Sequence, residues 1–115
     1  MSTIKAYTEE SLMSGIDEMR RRIFFGKHLS GDPEDTTDFT QASVELAVRA
    51  IHKMASDAPH KPIEIHMNSY EGDPTAMLYL MDVILSCPCQ IKFFGGGAIA
   101  SSATRIMAVC DERYL

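Results

Sequence analysis

No apolar run in the 115-residue chain approaches the roughly 18 residues of a membrane-spanning helix, and Met1-Ser2-Thr3-Ile4-Lys5 lacks the apolar core of a secretory leader. Neither a membrane span nor export is indicated, so a cytoplasmic setting is expected. Positive charge is also scarce. Eleven Lys+Arg stand against sixteen Asp+Glu, a formal net charge of −5, which is the wrong balance for a nucleic-acid footprint and suits an ordinary soluble protein. Cysteine is sparse: Cys87, Cys89 and Cys110 are odd in number and carry no CxxC spacing. Neither a disulfide framework nor a zinc site is supported, and the three read as reduced, mostly buried thiols. Nothing in the pattern calls for another metal or an organic cofactor.

What remains suffices for a globular domain. With 45% hydrophobic residues the chain can build a core, and residues 1–115 read as one domain, 1–21 an N-terminal segment and 22–115 a β-α core. In the first segment Leu12, Ile16 and Met19 recur among charges at helical spacing, predicting a short amphipathic helix within Ser11 to Arg22. Arg20-Arg21-Arg22 could bind anions, or form a solvated edge paired with acidic neighbours. Ile23-Phe24-Phe25 reads as a buried first strand ended by Gly26. A polar loop to Asp38 precedes a helix over about Thr40 to Ser56. On that helix Val44, Ala47, Val48, Ile51, Met54 and Ala55 share one face, and Glu45, Arg49, His52 and Lys53 lie outside it. Pro59 and Pro62 break the helix.

Ile63-Glu64-Ile65-His66-Met67 alternates with the period of a strand. It runs into Asn68-Ser69-Tyr70-Glu71-Gly72-Asp73-Pro74, where Asp73 is a candidate N-cap and Pro74 a first helical residue. The helix from Pro74 to Ser86 carries so many apolar groups that burial on most sides, within the domain or against another subunit, is expected. Cys87-Pro88 stops it. Cys89 to Phe94 makes a third strand, and Gly95-Gly96-Gly97-Ala98-Ile99-Ala100-Ser101-Ser102-Ala103 turns into a last helix that ends near Val109 or Cys110.

Strand, helix, strand, helix, strand, helix is the order of a parallel sheet, in which ligands bind at the carboxyl ends of strands. Both glycine-bearing turns, Asn68 to Asp73 and Gly95 to Ser101, fall at such ends. A serine at a strand-to-helix junction is held rigidly while the next backbone N–H can point at a developing oxyanion, so Ser101 is a candidate nucleophile. The plainer reading is a tight turn with a serine cap.

Three segments, in order and at fitting spacing, resemble the Clp protease proteolytic subunit (ClpP) family. Arg22-Ile23-Phe24-Phe25 is similar to its "RRIIFL", Lys61-Pro62-Ile63-Glu64-Ile65-His66-Met67-Asn68-Ser69 to its "KPIHLYINSPGG", and Gly97-Ala98-Ile99-Ala100-Ser101-Ser102-Ala103 to its nucleophile segment "GQAASMGA". The resemblance covers about Gly15 to Leu115. It implies a ClpP/crotonase-like α/β fold of repeated β-α units with a parallel sheet, here without its C-terminal part. It also implies a serine endopeptidase acting on peptides or unfolded proteins, a homo-oligomeric ring, and an AAA+ unfoldase ATPase as partner. Ser101 then matches the nucleophile and the Ser102 backbone N–H one oxyanion donor. The other donor falls on Glu71, where the family has glycine; only Gly72 of that pair is retained, and Tyr70 replaces a proline. Glu lacks glycine's freedom at positive φ and brings negative charge beside an oxyanion site.

In the family the catalytic His and Asp lie downstream of the nucleophile helix, and Glu112-Arg113-Tyr114-Leu115 looks like the start of the strand before that His. The histidines present, His28, His52, His60 and His66, read as structural or exposed. Residues 1–115 alone are therefore expected to be inactive, with His and Asp supplied by a complementary C-terminal fragment. An inactive ring subunit and a crotonase-like protein binding acyl thioesters are the alternatives.

Overall fold

The computed structural model describes residues 15–26, 40–69, 73–99 and 102–115. Its elements, in order, are β1 (Ile16–Asp17), β2 (Arg22–Gly26), α1 (Gln41–Asp57), β3 (Ile63–Ser69), α2 (Pro74–Ser86), β4 (Ile91–Ile99), α3 (Ser102–Val109) and β5 (Glu112–Tyr114). The five-stranded sheet has the order β1-β2-β3-β4-β5. β1 is antiparallel to β2, and every later pair is parallel. Each β-α-β step thus places its second strand beside its first, as the alternating pattern predicts.

The helix expected within Ser11 to Arg22 is corrected from Gly15 onward, and Ser11 to Ser14 lie outside the described residues. Ile16 and Asp17 pair instead with Ile23 and Arg22, and the intervening residues form a tight connection in which Arg21 N–H bonds the Glu18 carbonyl at 3.2 Å. Arg20 donates to the buried Asp17 carboxylate at 2.8 Å. The sheet edge, available only in three dimensions, satisfies the backbone better than an isolated short helix would. Two members of the arginine run follow the plainer reading, Arg20 beside Asp17 and Arg22 beside Glu64, whereas Arg21 departs from it and donates to backbone carbonyls.

α1 begins with a reciprocal cap. Ser43 N–H donates to Thr40 Oγ1 at 3.2 Å, and Thr40 N–H donates to Ser43 Oγ at 2.9 Å. Its inward stripe is Val44, Ala47, Val48, Ile51 and Met54, with Ala55 packed at the margin. α2 starts as the sequence predicts. The Asp73 carboxylate accepts from Thr75 and Ala76 N–H at 2.8 and 3.0 Å, and Pro74 opens the helix. Its burial is one-sided: Ala76, Met77, Leu80, Val83 and Ile84 face the core, whereas Leu78, Tyr79 and Leu85 are exposed.

The sheet has two unlike faces. Ile23 and Phe25, Ile63, Ile65 and Met67, and Ile91 and Phe93 meet the inward sides of α1, α2 and α3 in one cluster. The alternate residues, Arg22, Phe24, Glu64, His66, Lys92, Phe94, Glu112 and Tyr114, lie on the other face by strand alternation. β5 completes the sheet beside β4, with Lys92, Phe93 and Phe94 opposite Glu112, Arg113 and Tyr114.

Candidate active site

The candidate site belongs to the carboxyl ends of β3 and β4. Met67 pairs with Gly95, but the next pair is Ser69 with Ile99, and the register shifts between them. β4 thus spends three residues, Gly96 to Ala98, where β3 spends one. This corrects the expectation that the third strand ends at Phe94 and that Gly95 begins a turn. The strand runs through the glycines to Ile99 as a bulge, a device that bends a strand end and re-aims the residues beyond it. Gly96 is exposed, and a Cβ built on it meets nothing within 4 Å. Crowding therefore does not demand glycine there.

α3 begins at Ser102. The N–H groups of its first turn have no partners within the helix, and the Ser102 backbone N–H is one of them. Beside it in the sheet, β3 hands over to α2, whose own first turn is capped by Asp73. Two helix N-termini therefore follow neighbouring parallel strands at one sheet end. Ser101, Glu71 and Gly72 lie outside the described residues.

The histidines are placed by the sheet and α1. His66 sits on the face away from the helices, its ring stacked between Phe24 at 4.9 Å and Phe94 at 4.7 Å and its Nε2 2.8 Å from Glu64 Oε1. Phe94 stacks in turn on Tyr114 at 4.8 Å. Four strands in register thus carry one aromatic row, Phe24, His66, Phe94 and Tyr114. A second row, Arg22, Glu64, Lys92 and Glu112, alternates in charge. Arg22 lies 3.2 Å from Glu64, and Lys92 lies 3.7 Å from Glu112. The hydrogen bond from Tyr114 to Glu112 pushes the phenol pKa up. Sequence reading missed both rows. Their residues alternate with core residues in every strand, but only the register aligns them.

His52 and His60 are exposed, on α1 and in the turn after it, and His28 lies outside the described residues. Among the described residues no group of three or more His, Cys, Asp or Glu could hold a metal ion, and no helix is long and apolar enough to cross a membrane.

A family model described as Clp protease matches residues 35–114. The chain belongs to the Clp protease family. The match runs from ahead of α1 to the end of β5, so it takes in both handovers at the carboxyl ends of β3 and β4. β1 and β2 precede it. No curated protein matches the chain. As a Clp protease family member the chain belongs among peptidases, and its mixed α/β architecture agrees with that assignment.

Proposed function

We propose that the chain supplies the nucleophile and oxyanion donors of a serine-type endopeptidase, with Ser101 attacking the scissile carbonyl of an unfolded polypeptide. The observation that carries this reading is the paired register of Ser69 and Ile99 at the ends of β3 and β4. In sequence, Glu71 follows Ser69 by two residues and Ser101 follows Ile99 by two. The two segments that the family resemblance singles out therefore leave adjacent strands from one aligned point. Ser102 N–H at the start of α3 and Glu71 N–H, with Gly72 beside it, are the donors for the oxyanion.

The general base lies outside residues 1–115. His66 is engaged by Glu64 and two aromatic rings on the open face, and it precedes Ser69 by about 10 Å of strand. A complementary segment carrying His and Asp completes the site. Exposed Leu46, Leu78, Tyr79 and Leu85 on α1 and α2 support assembly into a homo-oligomeric ring, and an unfoldase ATPase is the natural source of unfolded substrate. The inactive ring subunit and the acyl-thioester binder are weaker readings, since neither explains a serine between a glycine-bearing strand and a helix N-terminus as directly.

The test is fluorophosphonate labelling and peptide cleavage with the chain supplemented by a His/Asp-bearing segment. Labelling should fall on Ser101, and Ser101→Ala should abolish it and lower kcat by about 10⁴- to 10⁶-fold. Labelling that survives Ser101→Ala and disappears in Ser102→Ala would move the nucleophile. Peptidase activity of residues 1–115 alone would return the base to one of the four histidines. Glu71→Gly should raise kcat more than it changes KM, because the carboxylate opposes charge that develops only in the transition state.

A further inference from the structure

At the opposite end of the sheet from the candidate active site, one arginine gathers four backbone carbonyls that lie far from it in sequence. Arg21 has left-handed backbone, φ 58°, a conformation that glycine adopts freely and other residues seldom do. It stands in the tight connection between β1 and β2, where its own carbonyl accepts from Glu64 N–H at 2.8 Å. Its guanidinium reaches the joint where α1 ends and β3 and β4 begin. Nη1 donates to the Met54 carbonyl at 2.7 Å and Nε to the Pro62 carbonyl at 3.0 Å. Nη2 donates to the carbonyls of Ala58 and Lys61 at 3.0 and 2.8 Å, and also to Cys89 Sγ at 3.3 Å.

The acceptor set fits one kind of ligand. Arg20 and Arg22 each meet a carboxylate, whereas the acceptors of Arg21 are carbonyls and one sulfur. The cation is balanced instead by the negative end of α1, since Met54 and Ala58 belong to its last turn and C-cap, and that turn has no basic residue of its own. Two of the acceptors are also fixed by other bonds. The Met54 carbonyl accepts from Ala58 N–H at 3.0 Å, and the Ala58 carbonyl from Lys61 N–H at 3.2 Å. Carbonyls converging from several segments suit a flat cation with five donors around its rim, whereas an ammonium carries its three donors on one atom and cannot span them.

We propose that this joint is a guanidinium-binding site, filled in the folded chain by Arg21, and that filling it clasps the β1–β2 hairpin to α1, β3 and β4. The left-handed backbone at Arg21 then has a return, because it is the conformation from which the side chain enters the joint. β1 pairs with β2 through two residues, so the hairpin's outer strand has little pairing of its own to hold it. Both strands lie ahead of residues 35–114, which match the family model, so the clasp belongs to a part of the chain that the match does not cover.

The experiment uses Arg21→Gly in the intact 115-residue chain, since glycine keeps the left-handed backbone while the side chain is removed. Guanidinium chloride is added at about 1–50 mM, far below the molar range in which it denatures, with sodium chloride and methylammonium chloride as matched controls. The amides of Phe24 and Glu64, bonded to the Gly15 and Arg21 carbonyls, should exchange hydrogen about tenfold faster in Arg21→Gly and return toward the wild-type rate as guanidinium is added. Asp111 N–H, bonded to the Ile91 carbonyl beside β5, should keep its rate. At ten times Kd, guanidinium should raise the folded-to-unfolded ratio of Arg21→Gly about tenfold and leave that of the wild type unchanged. Arg21→Lys should exchange as fast as Arg21→Gly. No response to guanidinium, equal rescue by methylammonium, a lysine variant as protected as the wild type, or a uniform rise in exchange that includes Asp111 would each overturn the proposal. Should Arg21→Gly not fold alone, folding on addition of guanidinium supports the site and continued unfolding overturns it.

Discussion

The two faces of the sheet are built from the same strands yet hold together by different physics. Phe93 and Phe94 are adjacent in β4; the first is fully buried under the helices and the second is half-buried in the aromatic row. On the covered face the organising quantity is apolar area removed from water, which has no direction and tolerates any well-packed arrangement. On the open face it is register. A slip of one residue would leave Phe24, His66, Phe94 and Tyr114 unaligned and would part the opposite charges paired in the neighbouring row. The covered face thus supplies most of the stability, and the open face fixes which pairing the strands adopt.

Truncating the two phenylalanines tests that division most severely. Phe93→Ala should cost about 3–5 kcal/mol in denaturant unfolding, through lost burial and the cavity left behind. Phe94→Ala should cost about 1 kcal/mol, near the worth of its stacking with His66 and Tyr114. Equal losses would mean that the open face is covered in the folded protein and that the two faces do not differ in this way.

Alkaline titration sharpens the comparison next. Cys110, in the covered core, has its pKa raised from 9.0 to about 12, chiefly by burial and then by the neighbouring Asp111 charge. A raised folded-state value makes the stabilisation complete below 9.0 and lost as pH climbs toward about 12. Stability should therefore fall above pH 9, and Cys110→Ala should flatten the fall by roughly 1.4 kcal/mol per pH unit. Identical slopes in the two proteins would place the alkaline loss elsewhere, with Lys53 and Tyr114 the first candidates, since the carboxylates beside them raise both values.

On the open face, Glu64 lies 3.2 Å from Arg22 Nε and 2.8 Å from His66 Nε2. Glu64→Gln should cost under about 1 kcal/mol, and added salt should shrink that loss, as for any partly exposed ion pair. A larger, salt-insensitive loss would indicate that the charge row is a packed network and not a solvated edge.

These contrasts also explain what could be read before the fold was known. The stripe from Val44 to Met54, the Asp73 cap with Pro74 behind it, and the alternation of Ile63, Ile65 and Met67 are local patterns, and each sits where it was expected. β1 escaped because two residues carry no period, and a helix-like spacing of Leu12, Ile16 and Met19 competed with a pairing that exists only once β2 is in place. The Arg21 joint escaped because its acceptors are backbone carbonyls up to 41 residues away. At the candidate site, the start of α3 at Ser102 was legible from a strand, glycines and small residues in succession. The path of β4 through those glycines was not, because a bulge is defined by the partner strand as much as by its own residues.

The smallest effect concerns that bulge. Gly96 continues the open-face row of Lys92 and Phe94 and is exposed. A Cβ there has open space around it, and its φ lies outside the left-handed region that glycine alone adopts freely. Glycine's chain entropy is then a cost without a local return, since an alanine would restrict the unfolded chain and clash with nothing. Gly96→Ala should raise stability by about 0.5 kcal/mol in urea with an unchanged m-value. A loss of 1 kcal/mol or more would show that the bulge needs a backbone conformation there that only glycine supplies, and that the glycine run serves the geometry of the strand end after all.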